Sequence, residues 1–181
     1  TSFSQDHVCA LTDNGRVYCW GDNAHGRTGI GLTTGSADTN TPTYVDTNGI
    51  AVDISVGAGH SCALMIDNQI SCWGRSSQNR NGLGSGNEPN VPTNITVMPP
   101  GKNATAISAG LEYTCAILND NSVFCWGGGN QASHLVTTTG KSYGFGNRTP
   151  ISISTGHSMI CVLLDNHSVS CWGNNYFGQL G

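Results

Sequence analysis

The residues best equipped for chemistry here are eight cysteines and six histidines. The cysteines fall into four pairs: Cys9 and Cys19, Cys62 and Cys72, Cys115 and Cys125, Cys161 and Cys171. Every pair is ten residues apart, and Trp-Gly follows each second cysteine, as in "CALTDNGRVYCWG" from Cys9 to Gly21. Structural zinc sites use Cys-x2–4-Cys spacing, and dithiol redox centres use Cys-x-x-Cys; neither spacing occurs. His7 and His60 stand two residues before a cysteine, but Tyr113 and Met159 hold that place in the later copies, so no ligand set recurs. Disulfides are the remaining chemistry, and four identical spacings select the within-pair connectivity from the 105 that eight cysteines allow.

No other motif competes. His25, His134 and Asp165 form no triad pattern with a flanked nucleophile. The glycine-rich Gly82–Asn87 lacks the lysine and following helix that make a phosphate loop, and reads as a surface turn. One tryptophan per copy at a fixed place reads as packing rather than as a stacking or light-sensing set. The expectation is a chain with no catalytic, cofactor or metal site.

The cysteines must be positioned by strands. Each copy is a block of twenty residues, 2–21, 55–74, 108–127 and 154–173, joined by connectors 22–54, 75–107 and 128–153 within one repeat domain, 1–181. First cysteines at 9, 62, 115 and 161 give a period near 50 residues, the mark of a propeller, solenoid or array. Apolar residues alternate around Asp-Asn-type turns, which predicts hairpins. If each cysteine opposes its partner, a three-residue loop remains, and its last residue takes the left-handed backbone. Gly15, Asn68, Asn121 and His167 occupy that place, types that tolerate positive φ. Opposed residues lie close enough for a disulfide. The same register pairs Leu11 with Val17, Leu64 with Ile70, Ile117 with Val123 and Leu163 with Val169. Ala10/Tyr18 and Ala116/Phe124 make the other face partly apolar too, as a blade between two neighbours requires.

Composition narrows the class. Charged residues are only 10%, and 25 glycines in 181 residues is about twice the usual ~7%, as in a turn-rich all-β surface protein. No apolar run reaches the ~18 residues of a membrane span. A net charge of -4 with dispersed Lys and Arg gives no nucleic-acid footprint. Paired cysteines point to an oxidising compartment, hence an extracellular or cell-surface location. Sequons at Asn94, Asn103 and Asn147 are candidate glycosylation sites, although their number is what this composition yields by chance. A fourth, Asn166, falls in a hairpin turn. The chain lacks an initiator Met, as a processed product or a fragment would.

"SVGAGHSCAL" (Ser55–Leu64), the repeated "CWG" and "NNYFGQLG" (Asn174–Gly181) resemble the repeats of the regulator of chromosome condensation family. That resemblance implies a β-propeller, commonly seven-bladed, with a four-stranded antiparallel sheet per blade. Four blocks would then be part of a larger propeller or an assembly. Arg27-Thr28 departs from the family's Gln-Leu, Asn79 replaces its glycine, and the third copy loses that motif within Gly127–Val136. Cysteine pairing makes the chain most similar to the extracellular repeats of crinkly-type receptor kinases. The resemblance implies a non-catalytic scaffold that binds a protein partner or copies of itself, with variable connectors as the contact surface. A secreted enzyme inhibitor or, less well supported, a GTPase exchange regulator are the alternatives.

Overall fold

Each cysteine pair lies at the middle of an antiparallel hairpin. The computed structural model describes residues 2–3, 6–32, 38–128 and 139–181, and their strands form four sheets in chain order. The first sheet holds β1 (Ser2–Phe3), β2 (His7–Leu11), β3 (Val17–Gly21) and β4 (Thr39–Val45). The second holds β5 (Ala51–Val56), β6 (His60–Met65), β7 (Ile70–Gly74) and β8 (Thr93–Asn94). The third holds β9 (Ala104–Ala109), β10 (Tyr113–Leu118), β11 (Val123–Gly127) and β12 (Lys141–Tyr143), and the fourth β13 (Pro150–Thr155), β14 (Met159–Leu164) and β15 (Val169–Gly173). Each sheet is a meander. The first strands β1, β5, β9 and β13 neighbour one another in that order, so the sheets stand as successive blades round a common axis. This is an all-β propeller architecture.

The hairpin register follows from the turns. Gly15, Asn68, Asn121 and His167 have φ of 77°, 65°, 64° and 65°. In each loop the amide of this residue bonds the carbonyl three positions back, for example Asn68 N to Met65 O at 2.9 Å. Thr12 N bonds Arg16 O at 2.9 Å. Counting outward from that bonded pair, Cys9 and Cys19 fall on a non-hydrogen-bonded pair, where strands approach most closely. They are direct partners, as are the other three pairs. All four pairs are disulfides, with Cα atoms 4.0–4.2 Å apart.

The sheets reach beyond the twenty-residue blocks in both directions. Inner strands begin upstream, at Ala51, Ala104 and Pro150, and the outermost strands β4, β8 and β12 come from the connectors. β4 carries Pro42, which a strand tolerates only where its N–H is not required, at an edge or a bulge. Its register with β3 does shift between Cys19 and Gly21.

The core lies between blades. The face of blade one bearing Cys9, Val17 and Cys19 packs on Ala63 and Trp73 of blade two. The Cys62, Leu64, Ile70 and Cys72 face of blade two packs on Ala116, Phe124 and Trp126 of blade three. The Cys115 and Cys125 face of blade three packs on Ile160, Val162 and Trp172. No core cluster joins blades one and four among the described residues. Among the described residues, no further blade packs on the cysteine face of blade four or on the tryptophan face of blade one.

Disulfide exposure records this position. Six cysteines, from Cys9 to Cys125, are 0% exposed, whereas Cys161 and Cys171 are only partly buried. Thiol exchange requires access to sulfur. Mild reductant under native conditions should therefore open Cys161–Cys171 first and leave the other three until the chain unfolds. Timed alkylation with peptide mapping checks this order.

Candidate protein interface

What holds one blade against the next also decides which surfaces remain for a partner. At the first seam, Ser61 Oγ–H donates to Arg27 O at 2.9 Å, so its lone pairs face His7 Nε2, 2.8 Å away. His7 Nε2 must therefore carry the proton and donate. The second seam repeats the chain one blade on: His60 Nε2–H donates to Thr114 Oγ1 at 2.8 Å, and Thr114 donates to Arg80 O at 2.8 Å. At the third seam Ile160 stands where Ser61 and Thr114 stood and offers no hydroxyl. Tyr113 replaces histidine there, and its hydroxyl donates to the Met159 carbonyl at 2.6 Å.

Two further series run along the seams. The serine that opens each block accepts an amide from the next inner strand: Ser2 from Val56 at 3.1 Å, Ser55 from Ala109 at 2.9 Å, and Ser108 from Thr155 at 3.1 Å. The connector arginines that replace the family's glutamine are buried. Arg27 reaches Ala58 O of blade two at 3.4 Å and pairs with Asp6 and Asp22. Arg80 reaches Leu111 O of blade three at 3.1 Å and pairs with Glu112. On the axis, an open groove of about 480 Å³ is lined by Asp6, Gly57, Gly110, Leu111, Gly156 and His157. A Cβ on Gly57 would lie 2.4 Å from Gly110 O, so this close approach of blades needs glycine.

Burial sets the charge state of the latches. Desolvation lowers His7 to about 4 and His60 to about 3, and Arg27 and Arg80 respectively add to the effect. Both imidazoles are neutral donors at neutral pH.

Other residues singled out by sequence fall as follows. Trp73 and Trp126 are fully buried, and Trp73 Nε1 donates to Arg27 O at 2.9 Å, a packing role. Trp20 and Trp172, on blades one and four, are partly exposed. His25 pairs with Glu88 at 2.8 Å, joining the first two connectors; Asp165 is exposed, and His134 lies outside the described residues. Gly82–Asn87 is a turn held by Ser76 Oγ and Asn79 Oδ1. No cluster that could hold a metal occurs among the described residues. Asn94 lies in β8 with its amide tied to Ser71 and Gln69, whereas Asn103 and Asn147 are exposed in links before β9 and β13. The histidine latch was not anticipated from sequence. Its only signal is a hydroxyl residue directly after the second histidine and after the tyrosine of the third copy.

The family model for the regulator of chromosome condensation (RCC1) repeat matches residues 1–27, 51–82, 104–133 and 151–179. The human E3 ubiquitin-protein ligase HERC2 is 31% identical over 130 residues, 71% of this chain but 3% of its own length. The crystal structure of human WBSCR16 superposes with a TM-score of 0.84 at 23% identity, covering 99% of this chain and 48% of that one. The entire ectodomain of the Physcomitrella patens receptor kinase CR4 does so with a TM-score of 0.58 at 26% identity, covering 95% of this chain and 39% of that one. The chain thus spans a small fraction of the curated relative and under half of these solved chains.

Histidines held low in the folded state bind protons less readily than in the unfolded chain. Their contribution is therefore complete above about pH 6.5 and is lost as pH falls from there toward the folded values of about 4 and 3. Urea unfolding should show a lower midpoint at pH 5 than at pH 7.5, and His60→Phe combined with Thr114→Val should shrink that difference. Thr114→Val alone orphans a buried donor and should cost about 1–3 kcal/mol, partly recovered in the double variant.

Proposed function

Because this chain belongs to the regulator of chromosome condensation (RCC1) repeat family, we propose that it is a non-catalytic, extracellular protein-binding scaffold, engaging a protein partner or copies of itself. The observation that carries this reading is four disulfides set in the blade hairpins. Such bridges persist in oxidising surroundings, and the ectodomain likeness supports the same location. The ligase activity named for HERC2 belongs to that far longer protein.

Binding is assigned to the connectors. The hairpins of blades two and three are committed to the core on both faces, and their side chains are spent on seams. Residues 22–54, 75–107 and 128–153 differ in sequence from blade to blade, and loops on a rigid repeat scaffold are where recognition varies. Asn103 and Asn147 are the preferred glycan acceptors, and Asn94, already bonded through its amide, is disfavoured.

A membrane-impermeant cross-linker applied to intact source cells tests both parts. Cross-linked peptides should come from the connectors. Labelling only after lysis, or cross-links confined to the hairpins, would overturn the reading. Exchanging connector 128–153 for another should abolish those cross-links and leave the circular dichroism spectrum unchanged.

A further inference from the structure

We propose that Asn48 is a site of spontaneous deamidation, where the side-chain amide is lost and aspartate and isoaspartate form. The site lies in the link between β4 and β5, and it does not depend on the scaffold reading.

The reaction asks for three things together. An asparagine must precede glycine, whose missing Cβ leaves the backbone nitrogen uncrowded. The asparagine side chain must stand in water, and the glycine amide must be free of a hydrogen bond. The chain has three Asn-Gly pairs, at Asn14, Asn48 and Asn81. The fold ties up two of them. Gly15 is buried and its amide donates to Thr12 O at 3.0 Å, while Asn14 Oδ1 accepts the Thr12 hydroxyl at 2.6 Å. Asn81 is fully buried, and its Nδ2 donates to Gly74 O at 3.2 Å and to Asn87 O at 2.9 Å. The Gly82 amide is also tied, to Asn79 O at 3.0 Å. Asn48 and Gly49 are both exposed, and among the described residues neither the Asn48 side-chain amide nor the Gly49 N–H has a partner.

The backbone accepts the product. Asn48 has φ of 55°, a conformation that aspartate tolerates as asparagine does. The turn is held around the pair rather than through the reacting groups: Asn48 N–H donates to Asp46 Oδ1 at 2.9 Å, and the Thr47 hydroxyl to Gly49 O at 2.9 Å. In the first step Gly49 N bonds to Asn48 Cγ, the Cγ–Nδ2 bond breaks, and Nδ2 leaves as ammonia with the Gly49 amide proton. Water then opens the resulting succinimide at either carbonyl, giving aspartate or isoaspartate. Both add a negative charge to the first connector. Isoaspartate also routes the main chain through its β-carbon, which lengthens a link pinned just beyond by Ile66 N to Ile50 O at 2.9 Å and Ala51 N to Gly15 O at 3.0 Å.

Peptide mapping by mass spectrometry of the oxidised, folded chain, aged in neutral buffer, tests this. Asn48 should convert at least about tenfold faster than Asn14 and Asn81, whose amides are held in backbone hydrogen bonds. In the reduced, guanidinium-unfolded chain that preference should collapse. Gly49→Ala should slow conversion about tenfold by crowding the nitrogen. That variant fits the fold, because an added Cβ meets only the flexible Met65 Cε, at 3.3 Å, and its circular dichroism spectrum should match the wild type. An Asn48 that stays intact in the folded chain would overturn the proposal. So would a preference for Asn48 no greater than in the unfolded chain, or an undiminished rate in Gly49→Ala.

Discussion

A blade of four short strands, apolar on both faces, cannot satisfy itself. A two-stranded hairpin is marginal in water, and here each needs a neighbour on either side to bury its side chains. Everything else follows from that seam. The 10% charged composition reflects hairpins that turn apolar surface both ways. Glycine at 57 and 110 permits the close approach of inner strands, and tryptophan fills the width between sheets. Three of the four disulfides lie inside the seams, where each ties the two central strands of its blade beneath the next blade.

Seams also explain why polar residues are buried in a protein this poor in charge. Histidine and hydroxyl are both buried, and each would be costly alone. In sequence, donor, acceptor and terminal carbonyl form a closed chain, His60 to Thr114 to the Arg80 carbonyl, which leaves few loose ends. Within that chain Nδ1 of His60 has no partner, and burial there holds the ring neutral.

The hairpins were legible in the sequence because their information is local. Ten-residue cysteine spacing, period-two apolar residues and a turn residue that tolerates positive φ all lie within thirteen positions, and the φ values at Gly15, Asn68, Asn121 and His167 match that reading. The outermost strands were not legible. Thr39–Val45 is polar and interrupted by Pro42, and Thr93–Asn94 and Lys141–Tyr143 are too short for a period; edge strands pair on one side only and need no apolar alternation. The latch was hidden for another reason. Its partners lie 54 residues apart, and neither histidine nor serine is unusual by itself. Arg27, a departure from the family pattern in the chain, is a seam contact in space, as is Arg80 at the same place in the second copy.

Near-identical repeats carry a hazard during synthesis and refolding, because any blade could dock on the wrong neighbour, as repeat proteins are prone to do. The unequal latches oppose this. If blade two met blade four in place of blade three, His60 Nε2–H would face Ile160 with no acceptor, an orphaned donor worth roughly 1–3 kcal/mol against the mistake. If blade three met blade two, the Ser61 and Tyr113 hydroxyls would crowd one space that fits an imidazole. Ile160 beside Tyr113, against a hydroxyl beside each histidine, thus sets the third seam apart from the first two in single side chains on otherwise similar sheets.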